Sequence, residues 1–214
     1  MIFSTATRRI RLALLALLLV VPSLALAASK SPVLLVVGDS ISAGYGLSPG
    51  QGWVDLLAQR LRSEGYPYHV VNASISGDTT AGGRARLPAL LKQHEPAVVV
   101  IELGGIDALR GGDLGAAQSN LEAMVRAVKA AGARPMLVGM QLPPNYGASY
   151  VHRFAAMFED IARAQKVPVV PYLFQGFGED LASFQPDSIH PTANVQPRIL
   201  ANVWPTLSAL LAKR

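Results

Sequence analysis

The sequence predicts an α/β protein, a three-layer α/β/α sandwich with a five-stranded, mainly parallel sheet. Short apolar runs rich in valine alternate with longer segments in which apolar residues recur at helical spacing. Uninterrupted apolar runs are typical of strands covered on both faces, and strand–helix alternation is typical of parallel sheets. The predicted strands are residues 33–37, 70–73, 98–103, 136–139 and 167–170.

Three segments between these runs carry apolar residues at steps of three and four, which predicts amphipathic helices packed on the sheet. Their stripes are Val54, Leu57, Ala58 and Leu61; Leu114, Ala117, Leu121, Met124 and Val128; and Tyr150, Phe154, Phe158 and Ile161. A last helix is predicted over residues 197–211, with Val203, Leu207 and Leu210 on its apolar face. Pro205 should kink it.

Residues 1–27 are predicted to be a secretory signal peptide that lies outside the fold. Arg8, Arg9 and Arg11 precede an apolar run at residues 12–21, and Ala25-Leu-Ala27 fits the small-x-small cleavage pattern. The run is shorter than the roughly 18 residues of a membrane span, so no stable membrane anchor is expected after cleavage. One domain of residues 28–214 would remain, in the periplasm or outside the cell. The sequence leaves the ordinary secretory and twin-arginine routes open.

The composition excludes several classes of function. Without the three leader arginines, 16 basic and 14 acidic residues remain, and they form no basic run of the kind that binds nucleic acid. The sequence has no cysteine, which excludes disulfides, thiolate nucleophiles and cysteine-bound metals. We expect a monomer that acts on a small molecule and needs neither metal nor cofactor.

Ser40 is a candidate nucleophile because it follows the first predicted strand directly, as part of Gly38-Asp39-Ser40. Ligands of parallel sheets bind beyond the carboxyl ends of the strands. If a helix turn starts there, the N–H of Ser40 can also stabilise an oxyanion. The alternative is that Ser40 only caps a helix.

Asp187 and His190 supply what such a serine needs. A serine hydroxyl is a weak nucleophile until a base takes its proton. A spacing of three residues lets the carboxylate reach the imidazole within one turn, where it can fix the ring tautomer and stabilise the imidazolium. The alternative is a solvated pair in a surface loop.

Four ordered segments together resemble the SGNH, or GDSL-type, hydrolase family. They are Gly38-Asp-Ser-Ile-Ser-Ala-Gly-Tyr-Gly46, Asn72-Ala-Ser-Ile-Ser-Gly-Asp-Thr79, Glu102-Leu-Gly-Gly105 and Asp187-Ser-Ile-His-Pro191. The chain is most similar to the periplasmic bacterial subgroup of thioesterase I, lysophospholipase and arylesterase, over residues 32–211. The resemblance implies a flavodoxin-like sandwich in which Ser40 is the nucleophile, His190 the base and Asp187 its orienting acid. It also implies that the N–H groups of Ser40 and Gly77 donate to the oxyanion.

The third segment departs from the family pattern Gly-x-Asn-Asp, whose asparagine supplies a third oxyanion donor. This chain has Ile106 there, followed by Asp107. Isoleucine has no donor, and an ionised carboxylate cannot replace one. Losing one such donor costs about 10² to 10³ in turnover, so we expect a weakened oxyanion hole.

The resemblance implies a serine hydrolase of carboxylic esters and acyl thioesters, including aryl esters, short-to-medium acyl esters, acyl-CoA and lysophospholipids. The alternatives are a catalytically silent acyl- or lipid-binding protein with the hydrolase fold, and a carbohydrate esterase of the same family. Residues 142–150 either line an acyl groove or only connect a strand to a helix. The candidate groove residues are Ile75, Leu109, Pro144, Asn145 and Tyr146; Ile75 and Leu109 would suit the core equally.

Overall fold

The computed structural model describes residues 31–213, which fold around a five-stranded sheet in the order β2-β1-β3-β4-β5. Every strand pair is parallel. This order is the flavodoxin-like one, in which the chain reverses direction across the sheet between β1 and β3. The strands are β1 (Val33–Gly38), β2 (His69–Asn72), β3 (Val98–Glu102), β4 (Arg134–Val138) and β5 (Val169–Val170).

All five predicted strands are present, with ends that shift by one or two residues. The central strands β1 and β3 are buried along their whole length, as their continuous apolar sequences predict. The edge strand β2 is only partly buried, and β5 is reduced to two residues. Among residues 31–213, no helix combines the length and apolar character needed to cross a bilayer.

Helices cover both faces of the sheet and complete the three layers. They are α1 (Ser40–Ala43), α2 (Trp53–Ser63), α3 (Thr80–His94), α4 (Gly105–Leu109), α5 (Leu114–Ala130), α6 (Ala148–Gln165) and α7 (Gln196–Ser208). One face of the sheet packs on α3, α5 and α6, and the other packs on α2 and α7. Because successive strand residues point to opposite faces, Leu35 lies in the first layer and Leu34 in the second.

The predicted stripes on α2, α5 and α6 are confirmed as buried faces, except that Ala58 and Tyr150 are only half-buried. The last predicted helix corresponds to α7, which ends three residues earlier and keeps Pro205 inside the helix. Helix α3 was not predicted from the sequence. Two of the buried positions on its core-facing side are the small residues Thr80 and Gly83, so it shows little apolar periodicity.

Candidate active site

Ser40 begins the short helix α1 at the carboxyl end of β1. Asp39 caps this helix: its carboxylate accepts the N–H of Ile41 at 3.0 Å. Gly44 ends it in the left-handed conformation at φ +74°. Since the first N–H groups of a helix have no partner within the helix, the N–H of Ser40 is available to a ligand. Ser40 itself is buried, with 5% of its surface exposed.

The structure brings together the three residues predicted from the two ends of the fold. His190 Nε2 lies 2.8 Å from Ser40 Oγ, and His190 Nδ1 lies 2.7 Å from Asp187 Oδ2. An ionised carboxylate can only accept a hydrogen bond, which assigns the proton of the neutral ring to Nδ1. Nε2 is then free to accept the hydroxyl proton of Ser40.

A tight turn holds the acid and the imidazole. Ser188, between them, has a positive φ of +59°. The Asp187 carboxylate also accepts the backbone N–H groups of Ile189 and His190, at 2.9 and 3.0 Å. Gln185 closes the turn from below, because its N–H donates to the carbonyl of His190 at 2.7 Å.

These hydrogen bonds keep Asp187 ionised. Partial burial would raise the pKa of its carboxyl group, but the bonds from the His190 N–H, the imidazole and the Ile189 N–H outweigh it. The result is a pKa lowered to about 2. Asp187 therefore remains a carboxylate at any pH at which the enzyme would work.

Tyr45 packs against the imidazole from the segment that follows α1. The two rings have centroids 4.4 Å apart and planes tilted by 37°. Gln185 joins the segments, since its side-chain amide donates to the carbonyl of Tyr45 at 2.8 Å. The ring of His190 is thus held by a carboxylate at its edge and an aromatic face at its side.

Gly77 lies in an exposed turn after β2, with φ at +80°. A Cβ on it would meet nothing within 4 Å, so space does not demand glycine there. The backbone conformation does, because residues with a side chain rarely adopt it. The turn starts beside the nucleophile, where the N–H of Ile75 donates to the carbonyl of Gly38 at 3.0 Å.

Ile106 is the second residue of α4, which follows β3 after the left-handed Gly104. Its half-buried side chain offers no donor at this position. Asp107 does not compensate, because its two carboxylate oxygens accept the hydroxyl and the N–H of Thr80, at 2.7 and 2.9 Å. Asp107 instead ties α4 to the start of α3.

Two buried carboxyl groups beneath Ser40 were not identified from the sequence. Glu102 is fully buried at the end of β3 and accepts the hydroxyl of Ser42 at 2.7 Å. Burial and the charge of Asp39 raise its pKa well above the usual range. Burial likewise raises the pKa of Asp39 to about 6, although the N–H of Ile41 and the nearby His190 lower it. A glutamate that ends an otherwise apolar strand was the available signal.

Gly38 makes room for this arrangement. It pairs with Glu102 across the sheet, and a Cβ on it would lie 2.7 Å from Ser42 Cβ and 2.8 Å from Glu102 Oε2. Such distances are too short for any side chain. The close packing of α1, the helix that begins at Ser40, therefore requires glycine at position 38.

An apolar cavity of about 530 Å³ adjoins the site, within the usual range of small-molecule pockets. Ser188 and Ile189, which precede His190, line it together with Gly105. Its apolar wall consists of Leu109, Met140, Leu142, Pro143, Pro144, Phe154, Tyr172, Phe174, Leu181, Phe184 and Ile189.

The cavity includes two of the five candidate groove residues, Leu109 and Pro144. Ile75 is exposed on the Gly77 turn, and Asn145 and Tyr146 lie outside the cavity lining. Tyr146 packs on the core, and its hydroxyl donates to the carbonyl of Leu109 at 3.1 Å. It therefore supports the cavity wall from behind. The aromatic residues from 172 to 184 lie outside the recognised segments, so no local pattern pointed to them.

The site consists of a hydroxyl, an imidazole and a carboxylate joined in series by hydrogen bonds, at the carboxyl edge of a doubly wound sheet. This arrangement defines the class of serine hydrolases. Comparison with known proteins agrees, since residues 36–196 match the GDSL-like Lipase/Acylhydrolase family. The chain belongs to this family.

Two curated relatives and one solved structure extend the likeness over most of the chain. Esterase TesA of Pseudomonas aeruginosa is 54% identical over 183 residues, which cover 86% of this chain and 91% of the relative. Thioesterase 1/protease 1/lysophospholipase L1 of Escherichia coli is 43% identical over 172 residues, covering 80% and 81%. A crystal structure of TesA superposes with a TM-score of 0.82 at 55% identity, over 84% of this chain and 99% of that one.

Proposed function

We propose that this protein hydrolyses carboxylic esters and acyl thioesters through an acyl-enzyme formed on Ser40. The observation that carries the proposal is the unbroken series of hydrogen bonds from Ser40 Oγ to His190 and from His190 to Asp187. Family membership supports the same class of reaction. The roles of the individual residues are inferred from their geometry.

In the first half of the reaction, Ser40 Oγ attacks the acyl carbon while His190 Nε2 takes the hydroxyl proton. Asp187 holds the ring and stabilises the imidazolium that forms. His190 then returns the proton to the departing alcohol or thiol, which leaves the acyl group bonded to Ser40. In the second half, His190 takes a proton from water and the hydroxide attacks the acyl carbon. The tetrahedral intermediate then collapses: the bond from the acyl carbon to Ser40 Oγ breaks, His190 returns the proton to Oγ, and the carboxylic acid is released.

The oxyanion of each tetrahedral intermediate would accept the N–H groups of Ser40 and Gly77. Oxyanion donors are most effective when they are fixed before the charge develops. With Ile106 at the third position, two backbone donors carry this stabilisation. We therefore propose an enzyme that turns over more slowly than one with all three donors.

The cavity next to the turn that carries His190 supports the proposed substrate class. Its wall suits an acyl chain, since leucine, methionine, proline and aromatic side chains dominate it. Aryl esters, acyl-CoA and lysophospholipids share this acyl part and differ in the leaving group. The names of the relatives, esterase and thioesterase/lysophospholipase, support this range.

Hydrolysis of p-nitrophenyl butyrate by wild type and Ser40→Ala tests the proposal. Loss of the nucleophile should lower kcat by about 10³-fold or more. Ser63→Ala is the matched control, because Ser63 is an exposed serine on α2 whose hydroxyl only donates to the carbonyl of Arg60. A butyryl-CoA assay that follows thiol release extends the test to thioesters.

The same assay separates the enzyme from a silent acyl-binding protein, which Ile106 alone favours. If wild type and Ser40→Ala release nitrophenol at the same rate, the proposal is wrong. Saturable binding of a fatty acid by such an inactive wild type would establish the binding protein instead.

We also propose that residues 1–27 are a cleaved signal peptide and that the enzyme is a periplasmic or secreted monomer. These residues lie outside the described ones, so the proposal rests on their arginines, apolar run and cleavage pattern. Amino-terminal sequencing after expression in a Gram-negative host should begin at Ala28. A start at Met1 in the cytoplasmic fraction would contradict export, and size-exclusion chromatography with light scattering tests the monomer.

A further inference from the structure

Arg86, on the second turn of α3, links the two segments carrying the proposed oxyanion donors, and Asn72 also links them by donating from Nδ2 to the carbonyl of Ser42 at 2.8 Å. Its Nε donates to Asp78 Oδ2 at 2.8 Å, and its Nη1 donates to the carbonyl of Ala73. Its Nη2 lies 3.4 Å from the carbonyl of Gly38. One guanidinium thus contacts the start and the end of the Gly77 turn, and also the residue before the cap of α1.

Apart from Arg86, the Gly77 turn is held to its surroundings by two backbone N–H groups: that of Ile75 donates to the carbonyl of Gly38 at 3.0 Å, and that of Ser74 donates to Asn72 Oδ1 at 3.1 Å. Residues 75–77 are exposed, and Gly77 has no side chain to pack. Within the turn, the N–H of Asp78 donates to the carbonyl of Ile75 at 3.1 Å. Exposed backbone with few packed side chains is the part of a fold that opens most readily.

The guanidinium itself is well placed to act as a rigid link. The side chains of Arg86 and Asp78 are only 20% and 11% exposed, so water screens their ion pair less than a surface pair. Arginine presents its donors in a planar fork, which holds several acceptors at fixed angles, whereas lysine is a point charge on a flexible stem. The three acceptors lie at the end of β1 (Gly38), directly after β2 (Ala73) and at the end of the Gly77 turn (Asp78).

We propose that Arg86 is a positioning residue that fixes the spacing between the N–H of Ser40 and the N–H of Gly77. The inference rests on the proposed function, since it concerns the oxyanion hole of that reaction. A hole with three donors tolerates a displaced one better than a hole with two. Ile106 therefore makes this chain unusually dependent on the link.

The test compares Arg86→Ala, Arg86→Lys and wild type by three measurements. These are kcat and KM with p-nitrophenyl butyrate, the inhibition constant of butylboronic acid, and the melting temperature. A boronic acid forms a tetrahedral adduct on a serine, so its affinity reports stabilisation of the transition state. We expect Arg86→Ala to lower kcat by about 10- to 100-fold and to leave KM within about threefold, as for a displacement of about 1 Å. Boronate affinity should fall in parallel with kcat/KM, and Arg86→Lys should lie between.

Arg60→Ala is the matched control. Arg60 also forms an ion pair through Nε, at 2.7 Å from Glu64, and its guanidinium stacks on Trp204 in the opposite layer. Its loss should lower the melting temperature and leave kcat and boronate affinity unchanged. If Arg86→Ala behaves in the same way, with reduced stability and wild-type kinetics, the positioning role is wrong.

Two further outcomes keep the result unambiguous. If Arg86→Ala fails to fold, Asp78→Asn replaces it, because that variant keeps the shape and removes the charge that Arg86 binds. It should reduce kcat and boronate affinity together by a smaller factor, and unchanged values would overturn the inference. A wild type whose hydrolysis does not depend on Ser40 would instead refute the proposed function.

Discussion

At the scale of single residues, Ile106 brings an aliphatic side chain to the turn after β3. The carboxyl end of β3 lies beside that of β1, since Glu102 pairs with Gly38. An asparagine at position 106 would add a side-chain N–H to the two backbone donors. The Asp107 carboxylate already accepts two hydrogen bonds from Thr80. An asparagine at position 106 therefore requires no second substitution at position 107.

Ile106→Asn should raise kcat for p-nitrophenyl butyrate tenfold or more, within the usual effect of one oxyanion donor. Ile106→Leu is the control, because leucine branches at the same carbon as asparagine and has no donor. Steady-state kinetics of the two variants separate the effect of the donor from that of pocket shape. An equal gain in both would show that shape, and not hydrogen bonding, limits the wild type.

Asp39 predicts a distinct dependence of stability on pH. Its pKa in the fold, about 6, lies above its ordinary value of 3.8. Folding therefore favours the protonated form, and this contribution to the free energy of unfolding is complete below about pH 4 and lost as pH rises through 6. Two pKa units correspond to about 3 kcal/mol.

Asp39→Asn should remove that decline, since the amide oxygen still accepts the Ile41 N–H and carries no charge. Urea denaturation of both proteins at pH 4 and pH 7.5 measures it. The difference in unfolding free energy between variant and wild type should increase at the higher pH. Parallel values at both pH values would mean that Asp39 ionises freely in the fold. In both proteins the pKa of Glu102 stays above its ordinary value, because burial is the largest cause of the increase.

The sequence allowed prediction of Ser40, Asp187 and His190, because each has a local signature: the end of a strand, or a carboxylate three residues before an imidazole. Arg86 has no such signature, and the position of Glu102 at the end of an apolar strand did not indicate what its carboxyl group contacts. Their roles depend on acceptors and donors that only the fold brings near them, such as the hydroxyl of Ser42 for Glu102 and the carbonyl of Ala73 for Arg86.

At the scale of elements, α3 connects the Gly77 turn to the core. Thr79 caps it by accepting the N–H of Gly82 at 3.1 Å, and Gly83 packs directly on Leu103. The small residues Thr80 and Gly83 at buried positions explain why sequence periodicity missed this helix. Here close approach to neighbours replaced apolar side chains, so the signal that identified α2, α5 and α6 was absent.

Gly82→Ala should fail to stabilise α3 and should lower kcat. Alanine normally gains up to about 1 kcal/mol over glycine inside a helix. A Cβ at position 82 would, however, collide with the Asp78 carboxylate and push it from Arg86. The control is Gly115→Ala in the first turn of α5, where a Cβ would lie 3.2 Å from Asp113 Oδ1. Thermal unfolding and p-nitrophenyl butyrate kinetics decide, and a more stable, fully active Gly82→Ala protein would contradict the prediction.

At the scale of the whole molecule, the sheet is shared by two helical layers. The number of strands in the sheet was predictable, because each of the five apolar runs in the sequence forms one strand. The order of the strands depends on the path of the crossovers, which no local pattern encodes. That order matters for function, since β1 and β3 lie at the point where the chain reverses, and the candidate site opens beyond their ends.

Leu34→Ala and Leu35→Ala should destabilise the protein by similar amounts, about 2–5 kcal/mol each. Both leucines are fully buried, on opposite faces of β1. The two tryptophans, Trp53 and Trp204, lie in the layer of Leu34. If the layers unfold together, Leu35→Ala lowers the urea midpoint by tryptophan fluorescence as much as by circular dichroism. Separate midpoints would show that the layers unfold independently.

The serine and the histidine of the candidate triad are 150 positions apart along the chain. During synthesis, Ser40 is translated long before His190 is added to the chain. A nascent or truncated chain therefore holds an ordinary, unreactive hydroxyl. Hydrolytic activity requires the turn of residues 187–190 to pack against the end of β1, so the appearance of activity reports that both ends of the fold have come together.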